Sequence, residues 1–192
     1  MKKIIIITLL LEYVCPFDSG ISVCIDLLGK HKAANIKLDD YDLGDLNSDV
    51  NVGISLRLTS IPNLTKTTSF GMGVEYQTGR DTDDFNGDFS FNSFWFTVYQ
   101  IFDQQLYGLA QLGYGTFKAD NAYQGDGSAA LLGGPYYGIG LGYVLNEKLN
   151  IEGVYCTNLG SYYNYISFVG ANTYDVRYDR LNISIIYILN GN

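Results

Sequence analysis

The sequence predicts an all-β fold: an eight-stranded antiparallel up-and-down barrel that spans a membrane. Three observations predict it. Apolar residues alternate with Gly, Ser, Asn and occasional charges, as in Tyr137-Gly138-Ile139-Gly140-Leu141-Gly142-Tyr143, so each strand has one apolar face and one small or polar face. Mean hydropathy is near zero, yet no segment reaches the run of about 18 apolar residues that marks a membrane helix. The connections alternate between short and long, as they do in membrane barrels with tight turns at one end and loops at the other.

Eight segments carry the pattern in turn. Residues 20–29 set Ile21, Val23, Ile25 and Leu27 against Ser22, Cys24 and Asp26. Residues 50–60 set Val52, Ile54, Leu56 and Leu58 against Asn51, Gly53, Ser55 and Arg57. Residues 68–78 set Phe70, Met72, Val74 and Tyr76 against Gly71, Gly73, Glu75 and Gln77. In residues 89–102 two phases compete, Phe94, Phe96 and Val98 against Trp95, Thr97 and Tyr99, and a bulge is one way to reconcile them. Residues 106–118 oppose Ala110, Leu112 and Tyr114 to Gln111, Gly113 and Gly115. Residues 136–145 hold the glycine-alternating run. Residues 149–157 oppose Leu149, Ile151 and Tyr155 to Asn150, Glu152 and Cys156, and residues 179–189 oppose Leu181, Ile183, Ile185, Tyr187 and Leu189 to Arg180, Asn182 and Ser184. Most of these segments exceed the usual soluble strand of about 5–6 residues and suit the roughly 9–11 that a tilted strand needs to cross a bilayer.

Short turns are expected at 61–67, 103–105 and 146–148, and long polar loops at 30–49, 79–88, 119–135 and 158–178. The chain has 192 residues, enough for one domain. Its formal net charge of −8 argues against nucleic acid as a partner, because phosphate binding needs clustered Lys and Arg. Met1-Lys2-Lys3 followed by the apolar residues 4–11 reads as a signal peptide over 1–19, with the barrel over 20–192. Cys15 offers a lipid anchor as the alternative, against which Val14 is bulky. Cys24 and Cys156 fall at different heights and are expected as unpaired thiols.

On these features the sequence resembles the small eight-stranded outer-membrane barrels of Gram-negative bacteria, the group around OmpA, OmpX and OmpW. The resemblance covers roughly residues 20–189. Its most specific parts are Tyr136-Tyr137-Gly138-Ile139-Gly140-Leu141-Gly142-Tyr143 with the Asn146-Glu147-Lys148 turn, and the terminal strand 181–189, where Tyr187 holds the aromatic phase but the chain ends Ile188-Leu189-Asn190-Gly191-Asn192. The resemblance implies location in the outer membrane, contact with its lipid and lipopolysaccharide, and a lumen closed by ion pairs.

Charges deep in strands are costly unless paired, so Asp26, Arg57, Glu75, Glu152 and Arg180 are read as a polar network in the lumen. Arg180 is expected to meet Asp26 or Glu75, and Arg57 to meet Glu152. Val52, Leu56, Met72, Val74, Ile139, Leu141, Ile183 and Ile185 are expected to face lipid. The segment Asp81-Thr82-Asp83-Asp84-Phe85-Asn86-Gly87-Asp88 approaches a calcium loop, but Gly87 falls one place late and no bidentate Glu follows. Asp39, Asp40, Asp42 and Asp45 read likewise as solvated loop acids. His31, the single histidine, is expected as a solvated loop residue. The glycine run lacks the helix that a phosphate loop needs. No catalytic residue, metal ligand or cofactor is assigned. The expected role is non-enzymatic: an envelope structural or surface-interaction protein whose acidic loops, rich in Tyr162, Tyr163, Tyr165, Phe168, Tyr174 and Tyr178, meet an extracellular partner. The alternatives are a narrow channel for small hydrophobic molecules and a lipid-A-modifying enzyme.

Overall fold

In a barrel, every strand must find a hydrogen-bonding neighbour on both sides, because lipid offers none. The computed structural model describes residues 18–38, 41–82, 87–120, 129–166 and 170–189. Residues 1–17 of the expected signal, with Cys15, lie outside the described residues, as do Asp39, Asp40, Asp83, Asp84, Phe85, Asn86 and Phe168. The strands are β1 (Ser19–Leu38), β2 (Tyr41–Val50), β3 (Gly53–Ser60), β4 (Thr68–Gln77), β5 (Phe89–Ile101), β6 (Leu106–Ala119), β7 (Ala130–Asn146), β8 (Leu149–Ile166) and β9 (Gly170–Ile188).

All pairings between these strands are antiparallel, and β1 pairs with β9 to close the sheet. The lower half of β1 pairs with β3, from Ser19↔Ser60 to Asp26↔Gly53. Its upper half pairs with β2, from Gly29↔Val50 to Leu38↔Tyr41. Strands β2 and β3 are therefore one broken wall strand, and the nine segments form a ring of eight.

The break belongs to a seam. At one height three neighbouring strands each slip by a residue. In β1 the register jumps between Leu27 and Lys30, with Leu28 at a φ of 52°. Between β2 and β3, Asn51 and Val52 are both exposed, and beyond β4 so are Thr78 and Gly79. A one-residue slip moves every later side chain to the other face. Below the seam Ser22, Cys24 and Asp26 point inward; above it Gly29, His31 and Ala33 do. Strand β7 slips as well, between Gly133 and Tyr136.

The seam corrects several expectations. The expected loop over 30–49 is strand at every described position: residues 30–38 are the top of β1 and 41–49 most of β2. Residues 158–178 are largely strand too, a tall β8–β9 hairpin that pairs up to Ile166↔Gly170. His31 is fully buried, its ring centroid 4.9 Å from that of Phe89. The phase slip at Leu28 turned it inward. In β5 one phase holds throughout, with unbroken registers to β4 and β6 and no bulge. Trp95, Thr97 and Tyr99 point in, while Phe94, Phe96 and Val98 point out.

The outer surface below the seam is an apolar belt. Val52, Leu56, Val74, Ile139, Leu141 and Ile185 are exposed, and Met72 and Ile183 share their outward phase while half-buried. Tyr76, Tyr114, Tyr137 and Tyr155 ring the upper edge, and Phe70, Phe102, Tyr143 and Tyr187 the lower. Aromatic girdles around an apolar band are the signature of a bilayer-spanning wall.

Candidate functional site

An eight-stranded barrel encloses just enough space for its own inward side chains. Its interior is layered. At the lower end Ile61, Ile186 and Ile188 pack together. Above them Trp95, Tyr99, Ile101, Tyr107, Leu109 and Tyr136 form a second cluster, and Trp95 fits only because position 73 is glycine: a Cβ there would lie 2.5 Å from the indole. Near the top Phe89, Phe91, Phe117 and Tyr178 pack with Tyr162, Tyr174 and Val176.

Between the apolar layers runs an alternating chain of charge: Arg80, Asp26, Arg180, Glu75, Arg57. Arg80 donates to Asp26 Oδ2 through Nε at 3.2 Å and through a second, closer contact. Arg180 Nε lies 3.0 Å from Asp26 Oδ1. The same guanidinium donates through Nη2 to Glu75 Oε2 at 2.6 Å. Arg57 Nε donates to Glu75 Oε1 at 3.1 Å. The two acids are further satisfied by neutral donors, Asn182 Nδ2 to Asp26 at 2.6 Å and Ser55 Oγ to Glu75 at 2.8 Å. Arg57 also lies 5.1 Å above the Trp95 ring and Arg180 lies 5.0 Å from the Tyr178 ring, cation–π contacts that suit a desolvated cation.

The sequence expectation paired Arg180 with Asp26 or Glu75, and the structure gives it both. It does not pair Arg57 with Glu152. Arg57 turns to Glu75, and Glu152 accepts from Tyr107 Oη at 2.9 Å. The sequence reading left Arg80 in a loop. Its clue was the seam, since only the slip after Gln77 brings residue 80 inward. Cys24 and Cys156 are free and buried. Cys24 pairs in register with Ser184 and Cys156 with Arg180, so two strand spacings and a four-residue offset along β9 separate them.

The five charged side chains are almost wholly buried: Arg80, Arg180 and Glu75 at 0 %, Asp26 at 1 % and Arg57 at 2 % exposure. Trp95, Tyr99 and Tyr136 beside them are equally inaccessible to water. A water-sized passage at this height would expose the side chains that line it. The lumen here is a packed plug in which every carboxylate of the charged chain lies between two arginines.

Above the seam the outward face changes character. Lys30 meets Asp49, Lys32 lies 2.7 Å from Asp45, and Arg177 lies 2.7 Å from Asp179, all partly or largely exposed. Of these acids Asp45 was expected as a solvated loop carboxylate, and it is ion-paired on a strand instead. Of the tyrosines assigned to the fourth loop, Tyr162 and Tyr174 stack at 4.5 Å inside the wall, Tyr178 is buried and Tyr163 faces out. Among the described residues no cluster of metal-ligating side chains occurs.

No protein-family model matches the chain, and no curated protein matches it. Solved structures do. The chain resembles small outer-membrane proteins. It is similar to the outer membrane protein OprG from Pseudomonas aeruginosa at 18% identity, covering 89% of this chain and 95% of that one, with a TM-score of 0.47. It is similar to Ail, the attachment invasion locus protein of Yersinia pestis, at 16% identity, covering 86% and 98%, with a TM-score of 0.45. The outer membrane protein AlkL, solved in DMPC lipid bilayers, is 13% identical over 91% and 92%, with a TM-score of 0.48.

Proposed function

We propose that this protein is a non-enzymatic outer-membrane barrel with a closed lumen, which holds a raised sheet at the cell surface for contact with other molecules. The observation that carries this reading is the buried chain from Arg80 to Arg57, which fills the barrel while the outward wall is apolar. A conducting pore invests its inward face in solvated side chains; here those side chains are desolvated and paired.

The top halves of β1, β8 and β9, with β2, rise above the apolar belt and carry exposed charge, Tyr41 and Tyr163. That raised sheet is the part of the molecule presented to partners. A lipid-modifying reaction would need an accessible general base, and the burial of His31 against Phe89 weighs against that role.

Planar bilayers test the reading. The protein is expected to insert from detergent without discrete ionic current steps, and to leave uptake of a small hydrophobic dye into vesicles at the level of empty lipid. Stable single-channel currents or accelerated dye entry overturn the closed lumen. Altered lipid A masses that revert in His31→Ala overturn the non-enzymatic role.

A further inference from the structure

We infer that the outward wall above the belt carries a sugar-binding shelf on β8, β9 and β1, which takes a saccharide ring of the glycolipid in the surrounding outer leaflet. The inference rests on the outer-membrane reading above and adds to it a site and a ligand class.

The shelf is a shallow depression of about 400 Å³ bounded by Asn35, Lys37, Ser161, Tyr163, Thr173 and Asp175. Its centre is a held carboxylate. Asn35 Nδ2 donates to Asp175 Oδ2 at 2.9 Å and Ser161 Oγ to Oδ1 at 3.3 Å. Asn35 is itself pinned: its backbone N–H donates to Asp45 Oδ1 at 3.0 Å, and Lys32 holds that same carboxylate. It sits at a register shift of β1 with a φ of 54°, left-handed backbone that Asn tolerates better than most residues. The bulge re-aims Asn35 sideways toward β9, a common use of bulges next to sites.

One neighbour supplies the rest. Ser161↔Asp175 and Tyr163↔Thr173 are successive cross-strand pairs on the outward face, so the exposed Tyr163 ring stands diagonally beside the carboxylate. Thr173 is also the register partner of Lys37. The set is an aromatic face, a fixed acceptor with spare lone pairs, and hydroxyl, amide and ammonium groups around it. A pyranose ring matches it: its C–H face packs on the tyrosine, and its hydroxyls exchange hydrogen bonds with Asp175, Asn35 and Thr173. The acceptor at the centre disfavours a phosphate.

Height selects the source. Asp175 lies six residues beyond Leu181 along β9, where Leu181 pairs with the girdle residue Tyr155. At about 3.3 Å per residue and a tilt of roughly 35–45°, the shelf stands about 15 Å above the apolar belt and faces sideways over the leaflet. That height is beyond the roughly 5–8 Å headgroup layer, where the sugars of a membrane-borne glycolipid project.

The test uses the refolded protein in detergent and the core oligosaccharide released from a rough lipopolysaccharide, read by saturation-transfer NMR. Saturable binding is expected, weakened at least tenfold in Tyr163→Ala and at least fivefold in Asp175→Asn, and changed less than twofold in Lys30→Ala, whose side chain pairs with Asp49 outside the shelf. Heat-shifted gel mobility confirms that each variant is folded. Folded wild-type protein that inserts into vesicles but gives no saturable signal overturns the shelf alone; failure to insert overturns the outer-membrane reading. Loss of binding in Lys37→Ala with Tyr163→Ala unaffected identifies an anion site and also overturns the shelf. Binding of a neutral glucan as tight as that of the core oligosaccharide overturns the assignment to the membrane's own glycolipid.

Discussion

Arg80 reaches Asp26 across 54 residues of sequence, and its guanidinium also donates through Nη1 to the carbonyl and hydroxyl of Thr78, each at 2.7 Å. It enters the lumen at the seam, over Gly53, where a Cβ would lie 2.0 Å from Arg80 Nε. The end of β4, the break between β2 and β3, and the acid of β1 are thereby tied at one point. The rest of the charged chain hangs from it.

The order of losses along that chain is predictable. Arg180→Ala strips a partner from both Asp26 and Glu75 and is expected to cost about 3–5 kcal/mol, as for a broken buried pair. Arg80→Ala leaves Asp26 with Arg180 and Asn182 and is expected to cost less. Lys148→Ala, in an exposed turn, serves as the control and is expected to stay within about 0.5 kcal/mol. Urea unfolding in lipid vesicles measures all three. Equal shifts would show that the network contributes nothing particular.

The apolar belt has its own test. Leu141 is exposed between the girdle residues Tyr137 and Tyr143 of β7. Leu141→Arg at that depth is expected to cost about 2–4 kcal/mol in a bilayer. The same substitution at Leu43, an exposed residue of β2 above the seam, is expected to cost almost nothing. A small effect at Leu141 is incompatible with a lipid-facing wall.

Below the seam most of the barrel was legible in the sequence, because the strands other than β5, which is aromatic on both faces, divide cleanly between lipid and lumen. Residues 52–58, 70–76 and 137–143 show it plainly. Above the seam the same rule misleads. The slips at Leu28, at Asn51-Val52 and at Thr78-Gly79 reverse the phase, so the upper strands read as polar loops, His31 as solvated and Arg80 as surface. Most of the charged chain was legible, because acids and arginines on an inward phase must pair. Which acid takes which arginine was not, since that depends on stagger around the ring. The shelf was invisible as a unit, because its side chains come from three strands brought together by a bulge.

The sheet edge predicts where a signal would be cut. Ile61 N–H donates to the Asp18 carbonyl at 2.7 Å, and Leu189 N–H to the Ser19 carbonyl at 2.8 Å. The sequence alone suggests a signal over 1–19; we propose instead a cut upstream of Asp18, since removing Asp18 and Ser19 would unpair the end of β1. The intact mass of protein from an outer-membrane fraction decides it. Retention of Met1, or a chain starting at Gly20, contradicts the expectation.

The turn between β5 and β6 carries a pH dependence. Asp103 Oδ1 accepts from the backbone N–H groups of Gln105 and Leu106, each at 2.7 Å. These bonds favour the ionised form and hold its carboxyl below the ordinary range. A lowered folded value means stability that is present above the unfolded pKa and lost as the pH falls through the folded one. Carboxyl-carbon NMR is expected to show Asp103 titrating below the ordinary aspartate range, and the protection of the Gln105 and Leu106 amides, taken relative to their intrinsic exchange rates, is expected to fall only in acid. Asp103→Asn is expected to speed that exchange at neutral pH. An Asp103 that titrates at or above the ordinary aspartate value removes the basis for it.

The fit of Arg80 over Gly53 predicts non-additivity. In the native wall Arg80 is pinned by Asp26 and by Thr78, so Gly53→Ala forces a side chain that has nowhere to go. In an Arg80→Ala background the three atoms nearest that methyl are gone, and the added Cβ restricts the unfolded chain as Gly→Ala changes do elsewhere. The two substitutions together are therefore expected to cost less than the sum of the singles, with an interaction of about 0.5–3 kcal/mol. Thr59→Ala, on the same strand but away from the guanidinium, supplies the additive reference when combined with Arg80→Ala. Unfolding of the four members of each cycle in the same vesicles gives both interaction energies. If Gly53 and Arg80 prove as additive as Thr59 and Arg80, the guanidinium does not lie over that glycine, and the knot that joins β1, β3 and β4 at the seam is not held there.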